Sequence, residues 1–301
     1  MHNKFSELFK IGGSVSKRTE LLVGIIGSAI LLLLWYSVTY TGTIIPKSIF
    51  PNPVDVLLSY PRLLMENALL INAWATIKLN IMSYVYALIL AIPCGFIIGM
   101  FPVMNALFSK YIDAIRYTPM GAMTGVFLAI FGLSFTMKAN FLAFGIFIYI
   151  LPAVVNKVQQ LQNPSNAEEF VFLQTIKTLG ASDWQKFRYV YFPHVMRQVS
   201  ADIINLTAIS YTYITIIEVV NKDLGIGCMI RTMGRQSDTA SVFALLFLII
   251  IIGICQDQLL KFFDKLLFPS KYNRKKLGVF TWMKNQIVSD KPIKEKEEVK
   301  S

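Results

Sequence analysis

Six apolar stretches of this chain carry no charged side chain: Leu21–Tyr40, Leu79–Ser109, Tyr117–Met137, Ala139–Asn156, Ile203–Ile217 and Thr239–Gln256. A bilayer core of about 30 Å needs about 20 residues of helix. Most of the stretches meet that length; Ile203–Ile217 does so by extending through Asp202 and Glu218. Leu79–Ser109 is long enough for a tilted span and a turn near Pro102. The pattern predicts an all-α integral membrane protein with six transmembrane helices. The first stretch follows Lys17 and Arg18, as a signal peptide would. It exceeds the usual apolar length of about 7–15 residues and has no small-residue cleavage site, so it reads as a retained helix.

Composition supports lipid as the solvent. The 301 residues are 54% hydrophobic and 16% charged, with a mean hydropathy of +0.54. A soluble domain is about 25% charged. The net charge of +11 is concentrated at both ends and in one central segment. Lys4, Lys10, Lys17 and Arg18 precede the first span. Lys157, Lys177, Lys186, Arg188 and Arg197 follow the fourth, and a run from Lys261 to Lys276 closes the last. By the positive-inside rule both termini are cytoplasmic, and so is the central segment. The loop before the last span, with Lys222, Arg231 and Arg235, then lies outside; its arginines suit an anion, an ion pair with Asp238, or a partner protein. The organisation expected is an arm over 1–20, a membrane domain over 21–272 with a cytoplasmic loop over 157–202, and a basic, disordered tail over 273–301.

Several functions are excluded. No basic, aromatic-interleaved surface suggests nucleic acid. Cys94, Cys228 and Cys255 have no metal or disulfide spacing, and the two histidines, His2 and His194, form no ligand set. A membrane enzyme would need such groups beside its spans. The chain has no G-x-x-x-x-G-K-[ST] pattern for binding nucleotide phosphates.

Asn163–Pro193 is the most informative segment. Ser165 with Glu168, or Asn166 with Glu169, forms a capping box that starts a helix. Gly180 has the place of a left-handed C′ residue. Ser182 with Gln185 caps a second short helix carrying Trp184, Phe187, Val190 and Tyr191, which Pro193 is expected to close. The result is helix–Gly–helix, too polar to span. It suits either transmission of motion to the two flanking spans or an amphipathic pair lying on lipid.

Thr178-Leu-Gly-Ala-Ser-Asp-Trp-Gln-Lys-Phe-Arg-Tyr-Val-Tyr-Phe-Pro193 resembles the signature loop of binding-protein-dependent ABC importer permeases, with Gly180, Val190, Phe192 and Pro193 at the matching places. Its Leu-Gly-Ala-Ser-x-Trp core is similar to the nitrate/sulfonate/taurine branch. Phe50–Val56, Tyr111–Pro119, Glu218 with Leu224–Ile230, and Phe268-Pro269 resemble further segments of that branch, in order. The chain departs at Gln174-Thr-Ile176, where the family has Glu-Ala-Ala, at Thr76–Leu79, which lacks an Arg, and after Pro119, where a second proline is absent.

The resemblance implies a type I importer (MetI-like) permease core that moves a small solute of the sulfonate, nitrate, taurine or vitamin-precursor class. It implies as partners an ATP-binding subunit, an extracytoplasmic solute-binding protein and a second permease copy in a homodimer, all in or at the bacterial plasma membrane. No cofactor is expected on this chain; ATP and Mg²⁺ would sit on the ATPase, and the chain itself would be no enzyme. The ATPase-coupling residues implied are Gln174, Leu179, Gly180, Ala181, Ser182, Trp184, Phe187, Val190 and Pro193. Candidates for the path or a gate are Arg116, Pro119 and Glu218, since an acidic group in a span faces a cavity or a partner unless it reaches the interface. Arg116 also suits snorkelling to the headgroups. Gly95 and Gly99, four apart, suit close helix packing. The rival class is a stand-alone channel or secondary carrier.

Overall fold

A computed structural model describes residues 16–40, 45–163, 165, 167–220 and 224–272. The rest of the N-terminal arm and the tail from 273 lie outside the described residues, as does part of the capping box expected at Ser165 and Asn166. Among the described residues every element is helical: α1 (Lys17–Tyr40), α2 (Pro53–Met65), α3 (Leu69–Met100), α4 (Pro102–Ile115), α5 (Met120–Phe131), α6 (Phe135–Gln162), α7 (Ala167–Thr178), α8 (Asp183–Lys186), a π-turn (Phe187–Tyr191), α9 (Phe192–Val220), α10 (Ile226–Arg235), α11 (Thr239–Leu267) and α12 (Pro269–Tyr272).

Five helices are long and apolar enough to cross a membrane: α1, α3, α6, the run from Asp183 to Val220, and α11. A sixth crossing exists only if α4 and α5 are one broken span; they meet at 109°. Tyr117–Met137 is therefore not the single helix that its apolar pattern predicts. Pro119 disfavours helical backbone at Thr118 and stands as the N-cap of α5, and Gly132 at φ +64° ends α5. Ser134 then accepts from the Met137 N–H at 3.1 Å and starts α6. The turn near Pro102 is present: α3 stops at Met100 and Pro102 opens α4.

The chain forms two compact units. One comprises Met1–Ile89, Tyr117–Phe147 and Ala208–Gly253; the other comprises Leu90–Arg116, Ile148–Thr207 and Ile254–Ser301.

In the first unit, α1 leaves its Leu- and Ile-rich surface exposed, with Leu31 and Leu33 about two-thirds exposed. Its Trp35 indole donates to the Pro51 carbonyl at 3.0 Å and stacks among Phe50, Phe243 and Phe247. The apolar pattern does not predict α2, because this short helix buries only Val56, Ser59 and Leu63. Its start is local chemistry: Asn52 accepts from the Val54 N–H at 2.9 Å, and Pro53 takes the first position. Tyr60 donates to the Ala244 carbonyl at 2.8 Å. Arg62 pairs with Asp238 and donates to Ser241 at 2.8 Å. Asp238 is thus bound to Arg62, with neither Arg231 nor Arg235 beside it; Arg231 donates to the Val219 carbonyl instead. Burial pushes the Asp238 carboxyl up, but hydrogen bonds from Ser241 and the Arg62 charge outweigh it and hold it below the usual range. This tie is complete at neutral pH and is lost as acidification passes that lowered value.

In the second unit, Gly95 and Gly99 of α3 lie against Val154 and Val158 of α6. A Cβ on Gly95 would stand 2.6 Å from Val154 Cβ, and one on Gly99 would stand 2.7 Å from Val158 Cβ. Small residues four apart let two helices close without lipid between them. Gly95→Ala is expected to destabilise by about 1–3 kcal/mol through overpacking. Val154→Gly in the same chain, which removes the opposing Cβ, should restore part of the loss. Thermal melting of the purified protein checks both; equal melting of Gly95→Ala and the parent refutes the contact.

Candidate functional site

Two constellations stand out, one in each unit. In the second unit, α7 ends in a Schellman turn. Gly180 adopts φ +71°, its N–H donates to the Lys177 carbonyl at 3.0 Å, and the Ala181 N–H donates to the Ile176 carbonyl at 3.3 Å. Two residues on, Ser182 and Gln185 form a reciprocal capping box: the Gln185 N–H donates to Ser182 Oγ, and the Ser182 N–H donates to Gln185 Oε1 at 2.8 Å. Both devices are set by neighbouring residues, so the reversal between α7 and α8 is locally encoded.

Pro193 does not close the second helix; α8, the π-turn and α9 run on as one rod. A proline inside an α-helix lacks the N–H for its ladder bond and crowds the carbonyl four residues back. The π-turn absorbs this by widening the ladder just before it, and the Phe192 N–H donates to the Phe187 carbonyl. The short helix is therefore continuous with a membrane-crossing helix.

Of the implied coupling residues, Gln174, Leu179, Gly180, Ser182, Trp184 and Pro193 are exposed; Ala181, Phe187 and Val190 are half-buried. Leu179 is 79% exposed, Trp184 69% and Tyr189 70%. Phe187 is a root: its ring meets Phe96 of α3 edge-on at 5.3 Å and lies 5.5 Å from Trp184. Leu173 is buried, and Gln162 donates to the Tyr191 hydroxyl at 3.0 Å. The tip is apolar and uncovered while its base is fixed.

In the first unit, Glu218 is 1% exposed. Thr76 donates to Glu218 Oε1 at 2.7 Å, and the Gly227 N–H donates to Oε2 at 2.8 Å. The Ile226 N–H donates to Thr76 Oγ1 at 2.9 Å, and the Gly225 N–H donates to Asn72 Oδ1 at 2.9 Å. The first N–H groups of a helix have no partner within it. Gly225, the N-cap of α10, has no side chain to supply one. Asn72 and Thr76 from α3 and Glu218 from α9 fill that role. Asn80, one further turn along α3, donates to Ser210 at 2.9 Å. Asn72, Thr76 and Asn80 recur every four residues on one helix face, a signal present in the sequence that apolar-run reasoning passed over.

Beside Glu218 lies a cavity of about 320 Å³ lined by Trp74, Lys78, Phe135, Lys138 and Leu224 among others. Lys138 is 3% exposed and acts electrostatically on Glu218. Lys78 Nζ sits 5.8 Å from the centroid of the Phe135 ring. The sequence placed Lys138 between two apolar runs, as though in a loop; it is a buried residue of α6. Two ammonium groups, the Glu218 carboxylate and two aromatic rings line this small cavity, so it presents charges of both signs beside apolar faces. Arg116 caps α4, is partly exposed and pairs with Asp113 at 3.4 Å. Pro119 forms the break before α5.

Residues 87–268 match the family of binding-protein-dependent transport system inner membrane components. A probable ABC transporter permease protein of Brucella melitensis is 23% identical over 77% of this chain and 89% of its own length. The taurine transport system permease protein TauC of Escherichia coli is 22% identical over 85% of this chain and 91% of its own length. A chain of the inward-facing MetNI methionine ABC transporter superposes with a TM-score of 0.53 at 17% identity, covering 68% of this chain and 98% of that one. That likeness gives the fold alone, an all-helical permease core. With more than half of its length inside the family match, the chain belongs to the binding-protein-dependent ABC transporter permeases, the membrane-spanning subunits of importers that have no catalytic activity of their own.

Proposed function

We propose that two copies of this chain form the translocation path for a small solute of the sulfonate, nitrate, taurine or vitamin-precursor class. An ATPase subunit docks at the α7–α8 reversal, and an extracytoplasmic binding protein delivers the solute from the other side. ATP and Mg²⁺ bind on the ATPase. Both termini, rich in Lys and Arg, face the cytoplasm. The observation that carries the coupling role is the Gly180 turn, which leaves Leu179 exposed at the end of α7 and Trp184 exposed on α8, itself continuous with α9. An exposed Leu and an exposed Trp on either side of a locally fixed turn suit an interface anchor. Displacement of that anchor acts directly on a membrane-crossing helix. The Lys78–Lys138 cavity and the name of the taurine relative both support an anionic or zwitterionic solute. Gly121 and Gly125 of α5, four apart with open space where a Cβ would be, offer a face to the second copy.

Co-expression with the cognate ATPase, followed by affinity purification and vesicle uptake, tests this reading. Leu179→Asp with Trp184→Ala should lower ATPase recovery at least tenfold while the permease still reaches the membrane. Two differently tagged copies should co-purify. Uptake by this chain alone in liposomes, driven only by an ion gradient, overturns it in favour of a secondary carrier.

A further inference from the structure

A second cavity, of about 510 Å³, lies in the other unit between α9 and the end of α11, and three lysines line it: Lys261, Lys265 and Lys271. Lys261 and Lys265 are one turn apart on α11. The ammonium groups of Lys265 and Lys271 each lie 5.7 Å from the Tyr272 ring centroid. Lys271 is fixed by Asp264 at 2.8 Å and by Ser200 at 3.0 Å, and Tyr272 donates to the same Asp264. Asp264 is 4% exposed, so this wall is built rather than adventitious. Lys261 pairs with Asp257 at 2.6 Å. Three ammonium groups against Asp257 and Asp264 leave one positive charge, which matches a monoanion.

Depth and surroundings identify the monoanion. The uncharged part of α11, Thr239–Gln256, rises about 27 Å, close to the thickness of a hydrocarbon core. Lys261 and Lys265 lie about 7–13 Å beyond it along the helix, and their long side chains, leaning toward the helix N-terminus, reach back to headgroup level. Phe262 forms part of the cavity wall and is 61% exposed; on the side toward the uncharged part of α11, Leu259 is 51% exposed and Ile254 56%. Basic pockets between membrane helices with apolar flanks hold anionic headgroups. We propose that this cavity binds the phosphodiester of an anionic phospholipid, with its acyl chains running back past the exposed Leu259 and Ile254 toward the uncharged part of α11. The site lies apart from the residues given a coupling or solute role above, and it depends only on the chain crossing a membrane.

The test uses the full permease co-purified with its ATPase and exchanged into mixed micelles of phosphatidylglycerol and phosphatidylcholine. Lipid retained through native mass spectrometry is counted. Phosphatidylglycerol should be retained at least tenfold over phosphatidylcholine, and millimolar inorganic phosphate should not displace it. Lys261→Gln with Lys265→Gln should lower retention about 25-fold, about fivefold for each charge. Both ammonium groups are outside the Asp264 clamp, so the variant keeps its fold, and the wild-type lipid preference stands as a test without any variant. Equal retention of the two lipids overturns the proposal in favour of an apolar groove. Displacement by phosphate overturns it in favour of a free-anion site, and undiminished retention in the variant removes the lysines from it.

Discussion

Gly225→Ala is expected to abolish transport and to cut the amount of folded protein in the membrane several-fold. Gly225 sits at φ +139°, ψ 153°, a backbone conformation restricted in practice to glycine. A Cβ there would lie 2.4 Å from Cδ of Glu218 and within 2.7 Å of both carboxyl oxygens. Relief requires Glu218 to withdraw, and the Gly227 N–H and the Thr76 hydroxyl then lose their acceptor inside a buried cluster. Each buried polar group left unsatisfied costs about 1–3 kcal/mol, and the backbone strain adds about 1–3 kcal/mol. The sum is a large part of a typical stability of about 5–15 kcal/mol. Glu218→Gln should be milder, because the amide keeps one acceptor oxygen and the same volume. Fluorescence-detected size-exclusion chromatography and thermal melting separate the two. Parent-like melting and uptake in Gly225→Ala would remove the cluster from any structural role.

Gly180→Pro should have the opposite signature: a chain that inserts and melts as the parent does but loses uptake and ATPase recovery by more than tenfold. Proline holds φ near −65°, whereas Gly180 needs +71°. It also deletes the N–H that donates to the Lys177 carbonyl at 3.0 Å. The Schellman turn cannot form, and Leu179 and Trp184 no longer share one presentation. The loss stays local, since nothing lies within 4 Å of a Cβ at Gly180. Gly180→Asn, which tolerates the left-handed region, should retain most coupling, and Gly180→Ala should fall between. The ordering Asn, Ala, Pro is the signature of backbone direction rather than side-chain contact. Unchanged uptake in Gly180→Pro would take the coupling role away from this turn.

How far the fold could be read from the chain varies with the kind of signal. The long apolar runs located α1, α6 and α11 to within a few residues at most ends, because lipid tolerates few charges along a helix. The same rule misplaced the start of α3. Its first turns hold Asn72, Thr76 and Lys78, which look like a loop until their partners are known. It also ran α5 into the first residues of α6, since hydropathy does not register the break at Gly132, where φ is +64°. Helices α2 and α10 were missed because each buries a short stripe against other helices and none of it forms an apolar run.

The chain by itself determined that it crosses the membrane and that a capped reversal stands at Gly180 and Ser182. Both follow from forces acting within a few residues: transfer of side chains to lipid, and hydrogen bonds spanning three to five positions. Only the tertiary structure decided that Glu218 is buried, that Asn72 and Thr76 cap α10, that Lys138 and Lys78 share a cavity with Phe135, and that Pro193 continues a helix. Thr76 and Glu218 are 142 positions apart. Whether a polar group so placed is a loop residue, a gate or a strut depends on which partner reaches it, and that is settled when the helices pack.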